Sequence, residues 1–231
     1  MKLRTYPDLE QRSPEWYEAR CGILTASTVG QMITAKTLTP AANDTSRTLT
    51  AQLVAERITG HVEETYQSHD MLIGLLEEPR ARAVYEQITG ATVTEVGFMV
   101  REWDHGKLGY SPDGLVGDDG LIEIKTRLPK HHVRTLLHNT MPAAYTAQVQ
   151  AGLFVSGRQW LDFVSFCGGL PPFICRILPD AAWQPAIEKA VEGFEESAAL
   201  MIEGFRAATE GLPVPERIDY ANYSASEIQV S

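Results

Sequence analysis

The stretch SPDGLVGDDGLIEIK, residues 111–125, has the composition of a β-hairpin. Asp118-Asp119-Gly120 supplies the turn, because glycine beside acidic residues is favoured where a chain reverses. Aliphatic and β-branched residues flank the turn on both sides, as in strands that are partly buried. This hairpin is the centre from which we interpret the rest of the chain.

Two carboxylates and one ammonium are predicted to converge on the hairpin. Residues i and i+2 of a strand point to the same face, so Glu123 and Lys125 project together while Ile122 and Ile124 face the core. The turn folds Glu123 back beside the strand that carries Asp113. The carbonyl of Ile124 lies next to this group.

Such a group suits phosphodiester hydrolysis. Hard oxygen ligands hold Mg²⁺ or Mn²⁺, which lowers the pKa of a bound water and neutralises charge on phosphate. Lys125 could orient the attacking water or stabilise the transition state. Spacing alone leaves an alternative open, because surface hairpins often carry Glu-x-Lys as an exposed ion pair.

Basic side chains follow the hairpin at once. They are Lys125, Arg127, Lys130 and Arg134, with His131 and His132 among them. The cluster is either a solvated loop and helix start or a surface for nucleic-acid phosphates. The two histidines are predicted to be exposed or to contact phosphate, and not to bind metal, because the site favours oxygen donors.

Bulk composition narrows the class of protein. The chain has 231 residues, 44% hydrophobic and 22% charged, as expected of a soluble globular protein. A net charge of −10 argues against a protein that coats nucleic acid, but not against an enzyme that gathers its basic groups in one groove. Three scattered cysteines exclude a zinc knuckle or a disulfide framework. We expect no membrane span, because no long apolar run appears, and no secretory signal, because residues 1–16 lack an apolar core.

Periodicity predicts one α/β domain over residues 1–211 and a loose C-terminal extension over residues 212–231. A meander of antiparallel strands is predicted over residues 91–128, with Pro79 breaking or kinking the helix before it. The predicted helices cover residues 14–21, a short segment near 25, and residues 44–59, 71–89, 130–137, 142–155 and 181–208. Two further strands are predicted over residues 159–166 and 173–178.

SPDG followed by LIEIK resembles the signature of the PD-(D/E)xK nuclease superfamily. Four blocks in order resemble its phage recombination exonucleases, the YqaJ and lambda-exonuclease family. They are WYEARCGILTAS (16–27), IGLLEEPRARAVYEQITG (73–90), SPDGLVGDDGLIEIK (111–125) and AYTAQVQAGLFVSG (144–157). The resemblance implies an α/β (α+β) fold with a restriction-endonuclease-like core, a central mixed sheet flanked by helices.

By resemblance, Asp113, Glu123 and the Ile124 carbonyl are metal ligands and Lys125 is catalytic. Glu78 and Gln148 are further catalytic residues, Arg20 and Ser27 hold a terminal 5′-phosphate, and Arg127 and Lys130 bind DNA. Each has a structural alternative. Glu78 could lie on a solvated helix face, Gln148 on the polar side of an amphipathic helix, Arg20 could pair with Glu15 or Glu18, and Ser27 could only cap a helix.

The resemblance further implies a Mg²⁺-dependent processive 5′-to-3′ exonuclease, with Mn²⁺ as a substitute and two ions during catalysis. Its substrate is linear duplex DNA with a 5′-phosphate, and its product a 3′ overhang for a single-strand annealing protein. It implies a ring-shaped homotrimer, encoded by a phage or prophage and working in the bacterial cytoplasm.

Two other functions compete with this one. The first is an endonuclease of the same superfamily, for restriction or repair. The second is a non-catalytic module that binds DNA ends. A pocket formed by Arg20 and Ser27 favours the exonuclease, because only an end-dependent enzyme needs to hold a 5′-phosphate.

Overall fold

The computed structural model describes residues 1–62 and 69–217. Its helices are α1 (Pro14–Arg20), α2 (Asp44–Thr59), α3 (His69–Thr89), α4 (Pro129–His138), α5 (Thr146–Ser156) and α6 (Trp183–Ala208), with 3₁₀ turns at Val29–Met32 and Ala143–Tyr145. Its strands are β1 (Lys2–Tyr6), β2 (Ile33–Thr34), β3 (Thr39–Pro40), β4 (Val93–Thr94), β5 (Phe98–Trp103), β6 (Gly106–Tyr110), β7 (Gly114–Val116), β8 (Gly120–Thr126), β9 (Trp160–Phe166) and β10 (Phe173–Ile177).

A five-stranded mixed sheet in the order β10-β9-β8-β7-β4 forms the centre of the fold. Strands β8 and β9 are parallel, and the other neighbours are antiparallel. Helices cover both faces of β8, so Leu121 is buried in one core and Ile122 and Ile124 in another. The predicted α/β fold with a central mixed sheet is confirmed.

The predicted single meander over residues 91–128 is wrong. Strands β5 and β6 form a separate sheet with β1, in the order β1-β5-β6. The free edge of β6 pairs with the segment after α1, because Gly109 donates to the Leu24 carbonyl (2.9 Å) and accepts from Ala26 N–H (2.8 Å). That pairing takes the place that β7 would occupy in a meander, and it sets Ser27 beside the end of β6.

Helix ends follow the sequence at several positions. Ser13 caps α1 by accepting from Trp16 N–H, and Gly60 ends α2 in the left-handed region at φ 68°. A short helix starting near residue 25 is wrong, because Ser27 caps no helix and the 3₁₀ turn begins after Thr28.

Pro79 was predicted to break or kink the helix, and the break does not occur, because α3 continues through Pro79. Proline removes one backbone hydrogen bond, but the part of the helix that follows Pro79 is packed against the sheet. Ala81 and Tyr85 are buried, and the Tyr85 hydroxyl donates to Asp162 of β9 at 2.8 Å. Packing of α3 against the sheet therefore outweighs the loss of the backbone hydrogen bond at Pro79.

Helix α6 is tied to the turn after α1 through Arg57 of α2. The Arg57 guanidinium binds both carboxylate oxygens of Glu195 at 2.6 and 2.8 Å and donates to the Gly22 carbonyl at 2.7 Å. Gly22 has φ 66°, and a Cβ atom there would lie 2.3 Å from Arg57 Cγ. Glycine is therefore required at this turn.

Within the described part of the chain, no helix combines the length and apolarity that a bilayer crossing requires. Of the predicted C-terminal extension, residues 212–217 contain no helix or strand. Residues 218–231 of that extension lie outside the described residues.

Candidate active site

The carboxylate of Asp113 continues the ladder where β7 stops. Gly114 of β7 pairs with Ile122 of β8, and one step further Asp113 Oδ2 accepts from the Ile124 N–H at 2.6 Å. In an antiparallel ladder the N–H and C=O of one residue point to the same neighbour. The Ile124 carbonyl therefore faces the same side as Asp113.

Glu123 lies beside Asp113 and the Ile124 carbonyl and is 1% exposed. Its Oε2 accepts from the Tyr110 hydroxyl at 2.9 Å. Its Oε1 accepts from Lys125 Nζ at 2.7 Å and from Gln148 Nε2 at 2.5 Å. The alternative of an exposed surface ion pair is wrong, because Glu123 is buried and bonded from three sides.

Tyr110 is a residue of the site that sequence reasoning missed. Its ring is buried, and its hydroxyl reaches Glu123 beside Gly152 of α5. A Cβ atom at Gly152 would lie 2.7 Å from Tyr110 Cζ, so glycine makes room for the ring. The available signal was that Tyr110 directly precedes SPDG and that Gly152 follows AQVQ.

Glu78 of α3 approaches the same carboxylates. It pairs with Arg82 at 2.9 Å, and Arg82 donates to the Asp113 carbonyl at 3.1 Å. Burial raises the pKa of Glu78, and the charge of Arg82 opposes that rise. The solvated-face alternative is therefore wrong for Glu78, and Arg82 is a second residue that was missed. We call Asp113, Glu123, Lys125, Glu78 and Gln148 the acid site.

The clustered carboxylates of the acid site favour the binding of a cation. Burial and the charge of Glu123 raise the pKa of Asp113 well above its usual range. Burial alone would lower the pKa of Lys125, but the charges of Glu123 and Asp113 outweigh it and raise that pKa. The carboxylates therefore repel one another more than one lysine can offset.

The donor set fits Mg²⁺. Among the described residues no group of three or more His, Cys, Asp or Glu side chains is arranged to hold a metal ion. Asp113, Glu123 and the Ile124 carbonyl offer hard oxygen atoms but too few of them to fill a coordination sphere. Mg²⁺ suits such a site, because it keeps several waters and uses one or two carboxylates.

Arg20 lies next to the acid site. Its guanidinium stacks on Trp16 at 4.0 Å and donates to Ser111 Oγ at 3.3 Å, two residues before Asp113. No carboxylate in residues 1–62 or 69–217 pairs with it, so the alternative of a pair with Glu15 or Glu18 is wrong. Burial lowers the pKa of Arg20 to about 10. A bound anion would stabilise the charged guanidinium.

Arg20 and Ser27 line one cleft of about 760 Å³, which we call the arginine cleft. Ser27 Oγ lies 3.0 Å from Thr25 Oγ1, and Thr28 Oγ1 accepts from the Thr25 N–H at 3.1 Å. A guanidinium and several hydroxyls therefore meet in one concave surface, a combination suited to phosphate.

Of the predicted DNA-binding residues, Arg127 is close to the acid site and Lys130 is exposed on α4. Arg127 and Lys125 lie 5.6 and 5.7 Å from the ring centre of Tyr145. His132 is buried, with its ring nitrogens 2.8 Å from Ser165 Oγ and the Pro171 carbonyl. The prediction that His132 is exposed or contacts phosphate is therefore wrong.

Comparison with known proteins places this geometry in a family. The sequence profile of YqaJ-like viral recombinase domains matches residues 15–159. No curated protein sequence gives a significant match. The crystal structure of an alkaline exonuclease from Laribacter hongkongensis, LHK-Exo, is 36% identical, with a TM-score of 0.77 over 87% of this chain and 100% of that one.

The same exonuclease in complex with dAMP gives a TM-score of 0.76 at 36% identity, over 87% of this chain and 100% of that one. A phage related exonuclease from Haemophilus somnus 129PT shares the fold, with a TM-score of 0.64 at 12% identity over 79% of this chain and 96% of that one. The predicted family is confirmed. The chain belongs to the family of YqaJ-like viral recombinase domains, and it is a nuclease.

Proposed function

We propose that this chain is a Mg²⁺-dependent exonuclease that digests the 5′-phosphorylated strand of linear duplex DNA from 5′ to 3′ and leaves a 3′ overhang. One observation carries the proposal. Arg20 lines the arginine cleft and also bonds Ser111, two residues before Asp113. A strand end held by Arg20 therefore brings its next phosphodiester linkage to the acid site.

The acid site would supply the chemistry. Asp113, Glu123 and the Ile124 carbonyl would hold one or two divalent cations, which activate water and neutralise charge on the phosphate. Lys125 holds a proton on the same side as Glu123 and would stabilise negative charge on the scissile phosphate. Gln148 and Tyr110 fix the two oxygens of Glu123, and Glu78 adds a carboxylate from α3.

The arginine cleft would supply end recognition. A terminal phosphate carries more charge than an internal linkage, and an arginine fork with nearby hydroxyls recognises it well. The Arg20 guanidinium stacks on Trp16, and burial disfavours its charge. A bound anion would therefore stabilise this charge more than it would stabilise the charge of an exposed arginine. An endonuclease has no need of such a pocket.

Processivity and partners belong to the same proposal. A ring-shaped homotrimer that encloses duplex DNA would stay on its substrate by topology and not by tight binding. That mode suits a chain with a net charge of −10. A single-strand annealing protein would then load onto the 3′ overhang. Light scattering tests the assembly, and a stable monomer at micromolar concentration would contradict it.

Three DNA substrates test the activity. A linear duplex with 5′-phosphates, the same duplex with 5′-hydroxyls, and a covalently closed circle are incubated with Mg²⁺ or with EDTA. We expect Mg²⁺-dependent loss of the phosphorylated strand, slower loss of the hydroxyl-ended strand and an intact circle. Cutting of the circle would instead identify an endonuclease.

A further inference from the structure

Arg12 and Leu75 lie where two cavities meet. Both line the arginine cleft, and both line a second groove of about 340 Å³ that contains Glu78 and Asp113. Among the described residues, Arg12 is the one charged side chain common to both. A DNA strand that runs along these two cavities would cross this junction.

The backbone around Arg12 is anchored to both halves of the site. On one side, Gln11 Nε2 donates to the carbonyls of Val96 and Pro112 at 3.2 and 3.1 Å, directly before Asp113. On the other side, Ser13 caps α1, the helix that carries Arg20. Arg12 lies between these two residues, so its backbone is held relative to both halves of the site.

Arg12 itself adopts φ 73°, in the left-handed region that favours glycine. Its side chain is exposed, and no hydrogen bond or ion pair to it is formed within residues 1–62 and 69–217. An arginine that occupies a glycine-type conformation without a protein partner contributes little to stability. Its charge reaches Glu78, whose pKa it lowers against the larger effect of burial.

We propose that Arg12 is a substrate-binding residue that contacts the internal phosphodiester linkage nearest the strand terminus, while Arg20 takes the terminal phosphate. The proposal rests on the proposed exonuclease function. It assigns the two arginines different phosphates, because Arg12 faces the groove of Glu78 and Asp113 and Arg20 does not line that groove.

Arg12→Gly provides the sharpest test, because glycine suits φ 73° and removes only the side chain. We expect a melting temperature no lower than that of the parent. We expect kcat/KM to fall about tenfold on 5′-phosphorylated and on 5′-hydroxyl duplexes alike, the size of one lost phosphate contact. The slope of log(kcat/KM) against log[salt] should become shallower by about one.

Further variants show whether the effect depends on the positive charge of Arg12. Arg12→Lys should recover part of the rate, since it keeps a cation, whereas Arg12→Gln should not. Arg4→Gln removes an exposed arginine that pairs with Glu102 on β1, and it should leave rate and salt slope unchanged. An Arg12→Gly enzyme with the rate and salt slope of the parent would overturn the proposal. A loss confined to 5′-phosphorylated ends would also overturn it, by placing Arg12 at the terminal phosphate.

Failure of the proposed function looks different. In that case the parent itself would not degrade linear duplex. Fluorescence anisotropy with a labelled duplex end in EDTA would still measure the contribution of Arg12 to DNA affinity, because binding needs no turnover. Weaker binding by Arg12→Gly with a shallower salt slope would support the contact, and equal binding would refute it.

Discussion

The acid site and the arginine cleft are adjacent, but they differ in how many bonding partners the protein supplies to their charged groups. Each oxygen of Glu123 is bonded to a side chain, and Asp113 is bonded to the backbone of β8. In the cleft, Arg20 has an aromatic ring and a serine hydroxyl as neighbours, and its charge is disfavoured by burial. The protein therefore holds the carboxylates of the acid site in place with its own hydrogen bonds, whereas under our proposal a bound phosphate would supply the main partner of Arg20.

Lys125→Ala is expected to have the largest effect. It removes the ammonium that bonds Glu123 at 2.7 Å and faces the proposed position of the phosphate. Loss of one such electrostatic contact typically costs about 10²–10³ in turnover. Single-turnover digestion of a linear duplex measures the loss, and anisotropy should show nearly unchanged DNA binding. Lys36→Ala, an exposed lysine, is the control. Parental turnover in Lys125→Ala would contradict the role.

Arg20→Ala should act on recognition and leave the acid site intact. A hydrogen bond to a charged group contributes ~1.5–3 kcal/mol, so the preference for 5′-phosphorylated over 5′-hydroxyl ends should fall about tenfold to a hundredfold. Inorganic phosphate should raise the melting temperature of the parent but not of this variant. Arg47→Ala removes an exposed arginine on α2 and should change neither property. An unchanged preference in Arg20→Ala would remove the distinction between the two regions.

The raised pKa of Asp113 predicts a pH dependence. Metal has to displace a proton from this carboxyl, so Mg²⁺ affinity should rise with pH, by at most about tenfold per unit. The metal-free protein behaves in the opposite way. A carboxyl whose pKa is raised on folding stabilises the fold at low pH, and that stability is lost as pH rises from the usual carboxyl range to the folded pKa.

Calorimetric titration of Mg²⁺ at several pH values checks the first trend, and urea denaturation in EDTA checks the second. Asp113→Asn has no carboxyl to titrate at this position, so both dependences should flatten. A Mg²⁺ affinity of the parent that does not change with pH would count against Asp113 as a ligand.

Tyr110→Phe should have the smallest effect. It keeps the ring against Gly152 and removes only the hydroxyl that bonds Glu123. The net loss of one hydrogen bond is ~1 kcal/mol, or about fivefold in turnover or Mg²⁺ affinity. Tyr6→Phe on β1 is the matched control. If Tyr110→Phe matched the parent in both quantities, the acid site would be less dependent on its internal bonds than we infer.

The convergence of Asp113, Glu123 and Lys125 was predictable from local sequence, whereas Glu78 and Gln148 came from family resemblance. Glu123 and Lys125 sit at i and i+2 in a strand, and the acidic turn before them returns the chain to Asp113. These are short-range relations, and the structure has them as predicted. Their burial was not predictable from the same pattern. It depends on helices α3 and α5, which cover β8 from distant parts of the chain.

The arginine cleft was less predictable because its contacts are distant in sequence. Trp16 Nε1 donates to Ser111 Oγ across 95 residues, and β1 pairs with β5 from Lys2 to Glu102. No local periodicity contains such pairings. Arg20 and Ser27 came from family resemblance, whereas Trp16 and Arg12 needed the fold.

Local rules also failed where packing opposed them. Pro79 does not break α3, because the helix is pinned to the sheet by Tyr85 and Asp162. His132 sits in a run of basic residues but is buried and bonded to β9 through Ser165. In both cases the deciding contact comes from another element of the chain.

The bond between Arg57 and Glu195 can form only after α6 has been synthesised. Arg57 donates to the carbonyl of Gly22, in the turn between Arg20 and Ser27, and is itself bound by Glu195 of α6. Chains emerge from the ribosome N-terminus first. The residues of the acid site have therefore emerged before Glu195 can bind Arg57. A nascent chain thus contains the residues of the acid site before the turn between Arg20 and Ser27 has all of its stabilising bonds.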